Sequence, residues 1–231
     1  MNSTSIFLPV RKGSERVINK NTRPFAIFRN GLLELKLRQL FQTRLVDEII
    51  LSTNDEQSIE FGLNLAKKES RLKVIIRPDE LASSTTNLTD LVKYVPNVCS
   101  NQTILWTHVT SPFFDETDYD NAILEYSKIL ERGFDSMMSV KKIQNFVWSK
   151  EQNDIVNRKG TLRWPRTQDL SPLFEIDSAL FLCSKEIYLN EVDRVGKKPF
   201  LLVQEGHHSF DVDWEEDFQL AELIYKSLYE K

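Results

Sequence analysis

The 231 residues are 41% hydrophobic and 28% charged, a balance that excludes a disordered or fibrous chain and suits a globular α/β protein with a full core. With 30 Lys+Arg against 34 Asp+Glu, the formal net charge is −4. This argues against a general binder of nucleic acid or anionic membrane, whose affinity comes from excess Lys and Arg. No run approaches the ~18 apolar residues that a membrane-spanning helix needs, and the opening MNSTSIFLPVRKG lacks the basic-then-apolar order of a secretion signal. The two cysteines, Cys99 and Cys183, lie among apolar residues without a CxxC pair. They read as buried thiols of a reducing compartment, and the expected location is cytoplasmic.

In chain order, short apolar runs alternate with amphipathic stretches. Strands are predicted at 6–10, 48–52, 72–76, 103–109 and 135–140, separated by helices at 32–42, 56–67, 87–100 and 119–132. Strands spaced by helices of about a dozen residues imply βαβ units and a mainly parallel sheet. From 141 to 172 this rhythm fails, and the polar stretch reads as a hairpin arm. Strands are predicted again at 179–183, 200–204 and 209–212, followed by a closing helix at 218–228. There is no internal repeat or flexible linker, so one domain over 1–231 is expected. Ligands of open parallel sheets bind beyond the carboxyl ends of the strands, which directs attention to the loops after Val10, Ser52, Ile76, Val109, Val140 and Val212.

The first of these loops reads Arg11-Lys12-Gly13-Ser14-Glu15-Arg16, with Lys20 and Asn21 just beyond. Long cations beside a Gly that admits close backbone approach suit a polyphosphate, although a solvated basic turn has the same composition. It is neither a P-loop nor a dinucleotide fingerprint. Near the other end, Asp211 and Asp213 stand two apart on a predicted strand, which would point both to one face. Carboxylate oxygens of this kind suit Mg²⁺ held together with phosphate. Asp213-x-x-Glu216 also fits a capping box for the last helix, with Asp217 favoured near the helix N-terminus.

FLPVRKGSERVINKN resembles the opening motif of the acylneuraminate cytidylyltransferase family, the CMP-sialic acid synthetases and their relatives. EIILSTNDEQ, IIRPDELASSTT, HVTSPFF, RTQDLSPLFEIDSALFL and FDVDWEEDFQLAE resemble further family segments in the same order, so the resemblance spans residues 6 to 224. It implies a three-layer, Rossmann-like nucleotide-diphospho-sugar transferase fold and a Mg²⁺-dependent transfer of CMP from CTP to an acidic sugar. By the same resemblance Arg11 and Lys20 face the triphosphate, and Lys12, Gly13, Ser14 and Asn21 shape its loop. Arg77 and Ser83 lie near the base and ribose, and Asp211 and Asp213 hold the metal. Arg11, Lys20 and Asp211 are the expected catalytic residues.

Departures from the family pattern cluster around the sugar. His108 stands where a Gln is usual, Phe114 replaces an Arg, and Phe174-Glu175-Ile176-Asp177-Ser178 lacks the family's Arg and Asn-Gly. Glu15 replaces a Lys in the phosphate loop. His108, Gln168, Asp177 and Phe181 are the expected sugar-lining residues, and a sialic, legionaminic or pseudaminic type of acid is the expected substrate. The alternatives are a shorter keto-deoxy acid such as Kdo, a nucleotidyltransferase for another sugar, and a non-catalytic nucleotide-binding homologue. The 141–172 excursion resembles the family's dimerisation arm; its scattered Phe146, Val147, Trp148, Leu162 and Trp164 would bury poorly in a monomer, so a homodimer is expected.

Overall fold

The computed structural model describes residues 3–83 and 85–230. Among the described residues nine strands are formed: β1 (Thr4–Val10), β2 (Glu48–Thr53), β3 (Leu72–Ile76), β4 (Thr103–Trp106), β5 (Ser136–Ile143), β6 (Trp148–Ser149), β7 (Asp154–Ile155), β8 (Leu173–Ser184) and β9 (Pro199–Gln204). The helices are α1 (Gly31–Gln42), α2 (Glu56–Ala66), α3 (Leu88–Val98), α4 (Glu116–Glu131), α5 (Lys185–Asn190) and α6 (Glu215–Tyr229). Seven strands make one sheet in the order β3-β2-β1-β4-β8-β5-β9. β1 pairs in parallel with β2 and β4, as β2 does with β3 and β5 with β9. β8 alone runs antiparallel to its neighbours β4 and β5.

Alternation along the strands builds the layers, because successive side chains leave opposite faces. Ile6, Leu8, Val10, Ile49, Leu51, Leu105, Leu180 and Leu182 face one core, shared with α1, α4 and α6. Phe7, Ile50, Ile104, Trp106, Phe181 and Cys183 face the other, covered by Leu91, Val92 and Val95 of α3 and by Tyr188 of α5. Both faces of the central strands are therefore apolar, which is why they read as unbroken hydrophobic runs. Cys99 and Cys183 are buried free thiols, and burial raises their pKa, that of Cys99 to about 12. No helix among the described residues is long and apolar enough to cross a membrane.

The fold corrects the expected elements in four places. No strand forms at 209–212: residues 206–209 make a 3-10 turn, and Phe210 and Val212 bond to His207 and Thr110 instead of to a ladder. β4 ends at Trp106 rather than Val109, and β8 runs six residues further toward the N-terminus than expected. The short helix α5 has no counterpart in the expected elements, since six residues are too few for a periodic pattern to emerge.

Between β5 and β8 the excursion does contain a hairpin, with Trp148 and Ser149 paired to Ile155 and Asp154. Its base is tied by buried Asn157, whose amide donates to the carbonyls of Asn145 (2.8 Å) and Ser171 (3.2 Å).

Candidate active site

The chain leaves β1 at Val10 and turns through Gly13, whose φ of +76° is a left-handed conformation that glycine adopts without strain. This turn is then fastened to the far end of the sequence. Arg16 pairs with Asp213 at 2.7 Å, Lys20 Nζ donates to the Val212 carbonyl at 2.6 Å, and Arg23 makes a two-pronged pair with Glu215 at 2.9 and 3.0 Å. The Arg23 guanidinium also stacks 3.8 Å over the Phe218 ring. Val212 N–H in turn donates to Thr110 on the loop after β4 at 2.8 Å. Three segments far apart in sequence thus meet at the carboxyl end of the β1–β4 pair.

A cavity of about 370 Å³ opens there. Arg11, Ser14, Glu15, Arg16, Lys20 and Asn21 line its basic side; Arg77, Leu88, Leu91 and Trp106 line an apolar side, with His108, Val109 and Thr110 between them. Asn21 donates to the Arg11 carbonyl at 3.2 Å and holds the turn closed. Arg77 is almost fully buried and donates to the Ser52 hydroxyl and carbonyl at the tip of β2; burial lowers its pKa to about 10, which leaves it cationic. Lys20 is also pulled down by burial, against the opposing pull of Asp213 and Asp211.

Asp211 lies on the irregular segment beside Lys20, not on a strand. Its Oδ1 is buried without a hydrogen-bond partner, and burial pushes its pKa up to about 6, with neighbouring Asp213 adding to the effect. Of the two readings open for this segment, the capping box at Asp213 does not form, and Asp217 stands at the helix N-terminus as expected. It is the Asp217 carboxylate that caps α6, accepting from the Trp214 (2.8 Å) and Asp213 (3.1 Å) amides, so neither side chain of the Asp211–Asp213 pair is spent on capping.

The other expected residues are placed unevenly. Lys12 turns away from the cavity and pairs with Glu56 at the start of α2 (2.7 Å), while Lys12 and Gly13 border a separate small crevice beside Asp55. Ser83 is exposed and bonds to the Thr85 hydroxyl at 2.7 Å, away from the cavity wall. Gln168 is exposed on the 3-10 turn at Thr167–Asp169 of the excursion, next to Arg166, which pairs with Asp169 at 2.8 Å. Asp177 is buried, accepts from the Ser139 hydroxyl and the Ala179 amide, and keeps Oδ2 unpartnered; burial raises its pKa. Phe181 is buried beneath the guanidinium of Arg194.

His108 lines the cavity and accepts at Nε2 from the Trp106 indole N–H at 3.0 Å. Burial, reinforced by Arg194, drives its pKa down to about 3, so the ring is neutral. His207 and His208 hold no metal cage: His208 Nδ1 meets Asp118 at 2.8 Å, and no group of three or more potential metal-binding His, Cys, Asp or Glu side chains occurs among the described residues. Sequence reasoning missed Arg194, Trp106 and Thr110 as members of this neighbourhood. Arg194 sits in an unpatterned DRVG segment, and no local signal marks it.

A family model described as cytidylyltransferase matches residues 6–222. The chain is 24% identical to a pseudaminic acid cytidylyltransferase of Campylobacter jejuni, covering 96% of each. It is 24% identical to an N-acylneuraminate cytidylyltransferase of Streptococcus agalactiae, covering 91% of this chain but 50% of the relative, so it spans half the length of that protein. Among solved structures it is similar to a CMP:2-keto-3-deoxy-manno-octonic acid synthetase complexed with CTP (TM-score 0.67, 11% identity, 97% and 99% covered). It also resembles a 4-diphosphocytidyl-2C-methyl-D-erythritol synthase from Anaerococcus prevotii (TM-score 0.64, 13% identity, 97% and 99% covered). By its match over nearly the whole sequence, the chain belongs to the cytidylyltransferase family and is a nucleotidyltransferase.

Proposed function

We propose that the chain transfers CMP from CTP to the anomeric hydroxyl of an acidic sugar of the nonulosonic type and releases pyrophosphate. The observation that carries this reading is that the basic turn after β1, whose Arg16 and Lys20 line the cavity, is fastened to the Asp211–Asp213 segment. Arg11, Lys20 and the loop around Ser14 and Asn21 meet the triphosphate, while Arg77, Leu88, Leu91 and Trp106 enclose the base and ribose. The sugar oxygen attacks the α-phosphorus as its bond to the leaving pyrophosphate oxygen breaks. The protein's share is alignment and charge neutralisation, and no covalent enzyme intermediate is needed. The names of the sialic and pseudaminic relatives favour a nonulosonic acid as acceptor.

A divalent cation fits the same corner. Asp211 offers a buried oxygen with no protein partner, and carboxylate with phosphate oxygens is a donor set suited to Mg²⁺. Asp211 and Asp213 would hold it; when bound it neutralises phosphate charge during the displacement. Asp213 would have to exchange part of its pairing with Arg16 for the ion. Two copies associating through the excursion, in a reducing cytoplasm that keeps Cys99 and Cys183 as thiols, complete the reading.

Thermal shift with the four nucleoside triphosphates and Mg²⁺ tests the nucleotide half, and only CTP should raise the Tm clearly. Pyrophosphate release with CTP and N-acetylneuraminic acid, pseudaminic acid or Kdo tests the acceptor half. Equal or stronger stabilisation by UTP would overturn the assignment of cytosine.

A further inference from the structure

An acidic sugar needs a cation near its carboxylate, and the segment where the family resemblance leads one to look for it has none: Glu175 and Ile176 stand there, exposed. The cations that line the cavity are already committed: Arg16 and Lys20 lie against Asp213, Arg11 against Glu15, and Arg77 donates to Ser52.

Arg194 is different. It lies between α5 and β9, and its guanidinium reaches back over the sheet to sit 3.7 Å above the Phe181 ring and 4.7 Å from that of Trp106. It forms no ion pair among the described residues. The adjacent Asp193 spends its carboxylate on the backbone amides of Arg194 (2.6 Å) and Val195 (3.2 Å). A half-buried guanidinium laid over two neighbouring aromatic rings, with no ion pair among the described residues, has lost hydration that nothing in the chain fully replaces. A planar carboxylate from outside would recover that loss through two parallel hydrogen bonds.

His108 joins it. Arg194 Nη1 is 3.5 Å from His108 Nε2, the atom that already accepts from Trp106. An indole nitrogen only donates, so the Nε2 lone pair is committed and the ring proton sits on Nδ1. No hydrogen bond to Nδ1 occurs among the described residues, which leaves a neutral N–H donor on a cavity-lining ring.

We propose that Arg194 binds the carboxylate of the acidic sugar, with His108 donating from Nδ1 to a neighbouring oxygen of the same molecule. This deepens the CMP-transfer reading and rests on it. It places recognition of the acid on the approach to β9 and not on the β8 segment that lacks the usual Arg.

The test uses Arg194→Met, which keeps apolar bulk over the two rings, and Arg194→Lys, which keeps charge without the planar fork. Pyrophosphate release is measured with CTP, Mg²⁺ and the best acceptor among N-acetylneuraminic acid, pseudaminic acid and Kdo, together with the C1 carboxamide of that acid. Arg194→Met should raise the sugar KM about 100-fold, the scale of losing a charged hydrogen-bond pair, and should leave the CTP KM within about twofold. It should also erase the preference for acid over carboxamide, and Arg194→Lys should restore part of it. Nitrogen-15 spectra of the wild type should show His108 protonated on Nδ1 and neutral at pH 5. An unchanged sugar KM in Arg194→Met, or a retained preference for the acid, overturns the proposal; so does an Nε2-protonated His108 for its second half. If the Met variant does not fold, the Lys variant's acid-over-carboxamide ratio decides: an unaltered ratio overturns it. If CTP stabilises the wild type but none of the three acids binds, the carboxylate site alone falls, whereas failure of CTP to bind removes the underlying reading.

Discussion

Lys20 and Asp211 show how burial sets the chemistry of individual residues. Lys20 donates to a backbone carbonyl from the very segment that carries Asp211 and Asp213, so it holds the site together as well as lining the cavity. Lys20→Ala and Asp211→Asn should each lower kcat by at least about a hundredfold, the scale seen when one electrostatic stabiliser is removed, with circular dichroism unchanged. Asp211 makes a second, opposite prediction. Its folded-state pKa is raised from 3.8 to about 6, so the folded protein holds this proton more tightly than the unfolded one does. Stability is therefore lost as pH rises from about 4 through about 6, by roughly 3 kcal/mol at most at 1.36 kcal/mol per unit. In the metal-free protein at pH 7.5, Asp211→Asn should raise the Tm, and at pH 4 the gain should vanish. A variant with lower Tm at both pH values would contradict the assigned cause. The residue types of the site were readable in the sequence; the direction each side chain takes was not. Lys12 sits in the same basic run as Arg11, yet the start of α2 brings Glu56 against it, and no local pattern announces that pairing.

At the scale of elements, two features shape the framework that carries the site. Lys36 of α1 is fully buried, and its ammonium donates to the carbonyls of Ser111 (2.8 Å) and Phe114 (2.7 Å) and to the Tyr119 hydroxyl (3.0 Å). These bonds lock the loop that follows β4 onto α1 and α4. Lys36→Met should destabilise the protein by about 3 kcal/mol, because buried acceptors are left unpaired, and urea denaturation will measure it. The second feature is the irregularity where β8 passes β5. The register shifts between Met138 and Val140, and opposite it Ser178 takes a φ of +60°. This is the position where the family resemblance expects Gly, and the backbone keeps the glycine-like turn although the side chain differs. A left-handed conformation costs a non-glycine residue about 1–2 kcal/mol, partly offset by the extra freedom glycine has when unfolded. Ser178→Gly should therefore stabilise by roughly 0.5–1 kcal/mol in the same denaturation experiment, and a loss would show that the Ser side chain contributes more than the strain removes. Alternating apolar runs made the strands of the sheet legible beforehand. The strand expected at 209–212 fails because one backbone bond to Thr110 satisfies that segment where a ladder was expected.

At the scale of the whole molecule, the excursion between β5 and β8 carries apolar surface that its own chain leaves open. Phe146 and Trp164 meet edge to face at 5.8 Å, yet Trp164 is 63% and Leu162 65% exposed. Those side chains favour association with a second copy. Sedimentation at micromolar concentration should give a dimer, and the pair Leu162→Asp and Trp164→Asp should shift it to monomer without loss of helicity; a wild-type monomer would remove the proposal. The amino-acid sequence by itself determined the α/β class, the parallel core strands and the two charged segments of the site, because hydrophobic periodicity and residue chemistry are local properties of the chain. Only the tertiary structure decided that the turn after Val10 closes on Val212 and Asp213, that Lys12 faces outward, and that Arg194 reaches Phe181 and His108. Those outcomes depend on strand order and on which side chains meet across the sheet, and such contacts between distant residues leave no mark in the neighbouring sequence.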